Sequence, residues 1–269
     1  MAVGFNRASH LDKLWSCMDS SSDKIHQALE AVNFARKRHQ TIPELGIASA
    51  EVKRFQARRF RATYADLLAS PRYKAAARFF LEELYSDKDY AARDEQFARI
   101  ASTIARLFPQ SVVDTASALA QVHALTEHLD DLMALQWLAG RSVVTTSESC
   151  ALYIQCWRSV ADRADRQKQL EIVLDLGDRL DRLTRKPGLR TLLKMMRGPA
   201  AAAGLSSLQA FLEAGFDAFA GMRGANEFLR IVRERESAWL ESLFNDETVT
   251  CETRLTRLMD GVPAIEAPH

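Results

Sequence analysis

From Pro71 to Phe108 the chain reads PRYKAAARFFLEELYSDKDYAARDEQFARIASTIARLF, and its apolar residues return at three- and four-residue steps. Only an α-helix gathers such a spacing onto one face. Ser70 suits an N-cap and Pro71 the first helical position, so a helix is predicted from there to about Tyr85. Its stripe is Tyr73, Ala77, Phe80, Leu81 and Leu84. Phe79 lies well off that stripe, so this helix should touch neighbours on two sides and reads as a central element. Arg78 and Glu82 fall together on the opposite face, at the spacing of a helical ion pair. Ser86 or Asp87 can cap a second helix through Phe97, Ile100, Ile104, Leu107 and Phe108, and Pro109 stops it, which makes an αα-hairpin.

The same period governs the rest of the chain. Leu11, Leu14, Trp15 and Met18 predict a short first helix, and Ile25, Leu29 and Val32 a second; Ser49 to about Ala69 predicts a third. Ser111 can cap a long helix with a stripe from Leu119 to Trp137, ended by Gly140. Thr145 with Glu148 forms a capping box for the longest stretch, through Cys156 and Leu174 to Leu180. Its middle, Asp162 to Lys168, is nearly all charged, so it is expected to project from the body or to break near Gly177. Six of the eleven glycines lie between Gly188 and Gly224, which predicts short helices in close contact. A final strong helix carries Phe228, Leu229, Val232, Trp239, Leu240 and Phe244, and Leu255, Leu258 and Met259 add a turn or two. Neither strand alternation nor a fixed repeat is present. The expectation is an all-α, single-domain multi-helix bundle of about nine to eleven helices over residues 1–260, with residues 261–269 as a frayed tail.

With 47% hydrophobic residues the chain has material for a core, and its net charge of +1 gives the whole molecule no electrostatic reason to seek nucleic acid or an anionic membrane. The opening residues lack a basic segment followed by an apolar one, and no stretch approaches the ~18 apolar residues of a membrane span, so a soluble cytoplasmic protein is expected. Cys17, Cys150, Cys156 and Cys251 show no CxxC spacing and read as reduced, mostly buried thiols.

Charge is nevertheless uneven. Residues 36–72 hold nine Lys or Arg against three acids, a local +6 that leaves the remainder acidic. Lys53, Arg54, Arg58, Arg59 and Arg61 are therefore candidates for docking an acidic partner; the other reading pairs them with acids elsewhere in the fold. No nucleic-acid-binding motif accompanies them. His123, Glu127 and Asp130 occupy one helical sector, where imidazole and carboxylate can share a metal. A helical di-metal site also needs Glu-x-x-His pairs, which the chain lacks, so neither metal nor any other cofactor is expected. Met195, Met196, Phe211, Phe216, Phe219 and Met222 surround the glycine-rich region; they could line a pocket for a lipid, an acyl chain or a porphyrin, or be simple core. GxGxxG, Walker and GxSxG sequences are absent, which removes the commonest nucleotide-binding and hydrolase readings.

Phe79, Phe80, Leu81, Glu82, Glu83, Leu84 and Tyr85 spell FFLEELY, and this stretch resembles the signature of an uncharacterised bacterial protein family named after that motif. The resemblance extends to Arg93, Asp94 and Arg99, and to a later stretch from Arg185-Lys186-Pro187 through Arg197-Gly198-Pro199 to Gly215-Phe216, roughly a third of the chain. It implies a bacterial origin and carries over no activity, cofactor or catalytic residue. The functional expectation is a binding or regulatory module acting through a helix surface. The alternative is a cofactor- or lipid-binding protein or enzyme in the manner of haem-oxygenase-like bundles, an analogy of fold alone.

Overall fold

Prolines and glycines set several of the helix ends. A computed structural model describes residues 21–84, 88, 90–140, 145–160 and 163–261, without the side chains of Leu84 and Leu107. The expected first helix, Cys17, Tyr85 and the tail beyond Gly261 lie outside the described residues. Helix α1 spans Ser21–Thr41, and Pro43 opens α2, Pro43–Thr63, at the position where a missing N–H costs nothing. Tyr64 leaves helical geometry and buries its ring, so the third predicted helix becomes α2 and a short α3, Ala65–Ala69. The FFLEELY helix, α4, is Lys74–Leu84. It starts three residues later than Pro71, because the Ser70 carbonyl accepts the N–H groups of both Tyr73 and Lys74 in a turn.

Helix α5 is Ala91–Leu107, and Pro109 caps α6, Gln110–Ala139, which Gly140 ends. The Thr145–Glu148 box opens α7, Thr146–Val160: the Thr145 N–H donates to Glu148 Oε2 at 2.8 Å and the Glu148 N–H to Thr145 Oγ1 at 3.2 Å. Helix α8 is Arg163–Thr184. It runs straight through Gly177, where the expected break does not occur; a Cβ there would meet Leu229 Cδ2 at 2.5 Å, so the glycine serves close packing instead. Short α9, Leu189–Met195, and α10, Arg197–Ala202, precede α11, Ser206–Gly221, and α12, Asn226–Asn245. The terminal turn or two proves to be a full helix of 13 residues, α13, Thr248–Asp260, with Cys251, Leu255 and Met259 buried one turn apart. The fold is all-α, and every regular element among the described residues is a helix. The helices outnumber the nine to eleven expected, because the chain breaks into short pieces around Tyr64 and between Gly188 and Gly204.

Three apolar clusters hold the elements together. Val52, Phe55, Met133, Tyr153, Trp157, Trp239 and Leu255 join α2, α6, α7, α12 and α13. Phe60, Tyr64, Phe80, Leu174, Phe219, Met222 and Phe228 join α2, α3, α4, α8, α11 and α12. Ile25, Leu29, Val32, Phe97, Ala120 and Leu208 join α1, α5, α6 and α11. The two phenylalanines of the motif do face apart: Phe80 packs edge-on to Phe228 in the second cluster, whereas the Phe79 ring lies against Gly215 and Phe211 on α11. The element buried nearly all round is nonetheless α6, which contacts α1, α2, α5, α7 and α8. Cys150, Cys156 and Cys251 are buried without disulfides, and burial pushes the thiols of Cys150 and Cys156 up to about 11.

Candidate functional site

Along α6, His123, Glu127, Asp130 and Asp131 face inward, and each meets a partner from another helix. His123 Nε2 donates to Asp94 Oδ2 of α5 at 3.0 Å. Lys53 Nζ of α2 donates to Glu127 at 2.6 Å, and Gln56 Nε2 to Asp130 at 2.9 Å. On α1, Arg38 and His39 both reach Asp131 at 2.8 Å. Sequence spacing put His123, Glu127 and Asp130 in one sector; the structure shows that this sector, with Asp131 beside it, is an inward-facing polar seam.

Asp94 is the node of the seam. Arg36 approaches it at 2.7 Å and Arg93 at 3.2 Å, in addition to His123. Burial pushes this carboxyl up, yet the hydrogen bond and charge of His123, with Arg93 and Arg36, together outweigh it and hold Asp94 down to about 2. Arg93 also pairs with Glu83 of the motif at 3.0 Å, and its guanidinium lies over the rings of Tyr90, at 4.1 Å, and Phe211, at 4.7 Å. Burial nevertheless pushes Glu83 up. Glu127 is held low by Lys53 against the opposing effect of its burial, while burial raises Asp130. Glu82, by contrast, is exposed at 3.7 Å from Lys88 rather than paired with Arg78, and so stands outside the seam.

The predicted basic docking face is only partly exposed. Arg59 is buried, and Lys53, Arg54, Arg58 and Arg61 are half-buried. Arg59 holds Glu236 at 2.9 Å, Lys53 holds Glu127, and Arg58 donates to the Met259 carbonyl at 2.7 Å. Arg36, Arg38, Lys53 and Arg59 are thus each met by an acid from α5, α6 or α12. The candidate pocket residues lie in different settings: Phe216, Phe219 and Met222 are core, Phe211 lies beside Phe79, and Met195 and Met196 are exposed. His123, Glu127 and Asp130 are each engaged by the protein groups above. Among the described residues no group of three or more His, Cys, Asp or Glu is arranged to hold a metal.

A cavity of about 70 Å³ opens at the deep end of the seam, lined mainly from α2, α7, α8 and α12, with Phe80 of α4 and Thr126 of α6. Gln56, Arg59, Thr126, Arg166, Gln169 and Glu236 are its polar residues, Tyr153 and Trp157 flank it, and Phe60, Leu170 and Val232 are among its apolar walls. The Arg166 guanidinium stacks 4.0 Å from the Trp157 ring, and its Nη2 lies 3.0 Å from Met133 Sδ. Burial pushes the Tyr153 phenol up to about 12. Sequence reasoning missed this site because Arg166 sits in the charged run expected to project, although only 4% of it is exposed. The signal available was Tyr153 and Trp157, two polar-tipped aromatics one helical turn apart.

What these observations define is an all-α domain with a charged interior seam that ends in a small polar cavity. The chain belongs to the family described as Domain of unknown function (DUF8198), which matches residues 35–250 and so takes in both seam and cavity. No curated protein and no solved structure matches it.

Proposed function

We propose that this protein is a helical binding module whose partner surface is the corner made by α9 and α11, and that the partner is an acidic, amphipathic segment of another protein. One observation carries the reading: α9 reads LRTLLKM, yet none of its residues is buried. Met195 is 69% exposed, and Leu192, Met196 and Leu212 are also large exposed apolar side chains. An apolar helix with no buried residue is surface kept for something outside the chain. From Arg185 to Arg197 the sequence has five basic residues and no acid; Arg185, Arg190 and Arg197 are paired with Asp181, Asp217 and Glu213, and Lys186 and Lys194 leave the corner positive, which supports an acidic partner. No helix among the described residues is long and apolar enough to cross a membrane. The bacterial origin that the FFLEELY resemblance implies, and the cytoplasmic setting read from the sequence, are part of the same proposal. The alternative of a cofactor or lipid carrier is less well supported, because Met195 and Met196 are exposed while Phe216, Phe219 and Met222 are core.

The test is a photo-crosslinking side chain placed at position 195 in the producing cell. The expected result is one discrete protein adduct, absent when the label stands at the exposed Phe34 and lost when Arg190 and Lys194 are both changed to Glu. An adduct insensitive to those changes, or the same adduct from position 34, overturns the reading. An adduct with a second copy of this chain replaces it with self-association.

A further inference from the structure

Helix α9 is clipped to α11 rather than packed into the body. None of its residues is buried, Leu189 and Leu193 are only half-buried, and polar links hold it in place. Arg190 pairs with Asp217 at 2.8 Å, Arg197 Nε reaches both oxygens of Glu213 at 2.7 and 2.9 Å, and Gln209 Nε2 donates to the Leu193 carbonyl at 2.6 Å. The α11 partners, Gln209, Glu213 and Asp217, follow one another at four-residue steps along one stripe of that helix. The side chains of Arg190 and Arg197 are 57% and 62% exposed, so water and salt screen both pairs and each contributes little. Glycines flank the segment: Gly188 caps α9 at a left-handed φ of 78°, and a Cβ built at Gly188 or at Gly198 would stand in open space. The chain can turn at both places without losing packing. Beyond Gly198 the anchorage resumes, since Ala200 is buried and Arg99 of α5 donates to the carbonyls of Ala203 and Gly204.

Glu213 and Asp217 therefore stand where the carboxylates of an outside helix would stand. A guanidinium fork takes a carboxylate from either source with the same geometry, so the two sources compete. The outside helix has one advantage: Leu192, Met195 and Met196 of the same segment are exposed, and α11 leaves that apolar surface unused. Resting on the reading of this corner as a partner surface, we infer that α9 is a displaceable clip and that the partner is an amphipathic helix with two carboxylates one turn apart. The partner takes Arg190 and Arg197 from Asp217 and Glu213, and its apolar face lies on Leu192, Met195 and Met196. The sign of one effect follows. If the pairs are exchanged, removing the charge of Glu213 and Asp217 strengthens partner binding; if the pairs instead build the surface, the same change weakens it.

The probe is a synthetic peptide of residues 206–221, the α11 sequence itself, which carries Glu213 and Asp217 together with Leu212 and Phe216. The same peptide with Glu213→Gln and Asp217→Asn is its reference. Fluorescence anisotropy follows each against the full chain. The expected result is saturable binding of the acidic peptide, about tenfold or more tighter than the neutral one and weakened by salt. Arg190→Glu with Arg197→Glu in the protein should abolish it with unchanged circular dichroism. Glu213→Gln with Asp217→Asn in the protein should tighten it about threefold or more, and should quicken amide exchange over residues 189–196 several-fold while α12 keeps its protection. The inference is overturned by no saturable binding even to that variant, by weaker binding to it, by equal binding of the neutral peptide, or by unchanged exchange over residues 189–196. Such a failure beside a discrete adduct from position 195 leaves the partner surface standing with α9 fixed on α11. Peptide exchange without a cellular adduct leaves the clip standing and removes the partner reading.

Discussion

Asp94 and Tyr153 are buried to the same depth, yet the first is surrounded by partners and the second has none at its hydroxyl. Around Asp94 two arginines and a histidine from three helices converge on one carboxylate, an arrangement that fixes how those helices sit on one another. On α7, by contrast, Tyr153 Oη and Trp157 Nε1 make no hydrogen bond within the folded chain. The two regions show that burial of polar groups does not by itself mark a site of function. A satisfied buried network fixes the architecture, while a buried donor without a partner is a cost that the surrounding packing offsets.

The strongest way to break this contrast is at the seam. Asp94→Ala leaves Arg36, Arg93 and His123 facing one another with no carboxylate between them, and should cost about 3–5 kcal/mol in urea unfolding. Phe80→Ala, which opens a hole between Phe219 and Phe228, should cost a comparable ~3–5 kcal/mol and supplies the apolar yardstick. If Asp94→Ala costs less than about 1 kcal/mol, the seam is not what aligns α1, α5 and α6.

Acid offers a gentler probe of the same node. Because Asp94 is held at about 2, below its ordinary 3.8, its ionised form is favoured in the folded chain. That contribution, about 2 kcal/mol, is fully present above the ordinary value and is lost as pH falls from about 4 to about 2. Asp94→Asn should flatten the stability profile in that window, read as urea midpoints against pH. An unchanged profile would assign the acid sensitivity to other carboxylates, of which Glu127, also held low, is the first to test.

How much of this was legible in the sequence follows from the range of the interactions. Helical period, the Thr145–Glu148 box and the close approach at Gly215 are set by residues a few positions apart or by one missing side chain, and each was readable. The seam was half readable: spacing put His123, Glu127 and Asp130 on one face, but Lys53 meets Glu127 across 74 residues and Arg59 meets Glu236 across 177. A local charge count sees the excess of one sign and not the distant acids that neutralise it, so a basic segment turned inward looks the same as a basic surface. The cavity was not readable at all, since it exists only where four distant helices fail to fill the space between them.

Within the motif, the contrast sharpens at its two glutamates. Glu82 is exposed beside Lys88, so Glu82→Ala should cost less than about 1 kcal/mol. Glu83, half-buried against Arg93, should cost more when changed to Ala. Equal effects in thermal unfolding would mean that Glu83 contributes nothing through the seam.

The smallest expected effect is the most informative about the cavity. A buried tyrosine hydroxyl that makes a hydrogen bond is typically worth about 1 kcal/mol, and its removal is destabilising. Tyr153 Oη makes none, and its ring is held independently by stacking on Phe55 at 4.4 Å, so deleting the oxygen takes away a desolvated polar group and leaves the packing in place. Tyr153→Phe should therefore be as stable as the parent or more stable by up to about 1 kcal/mol. A loss of more than about 1 kcal/mol would mean that the hydroxyl is hydrogen-bonded in the folded chain, and the difference between the two buried regions would vanish.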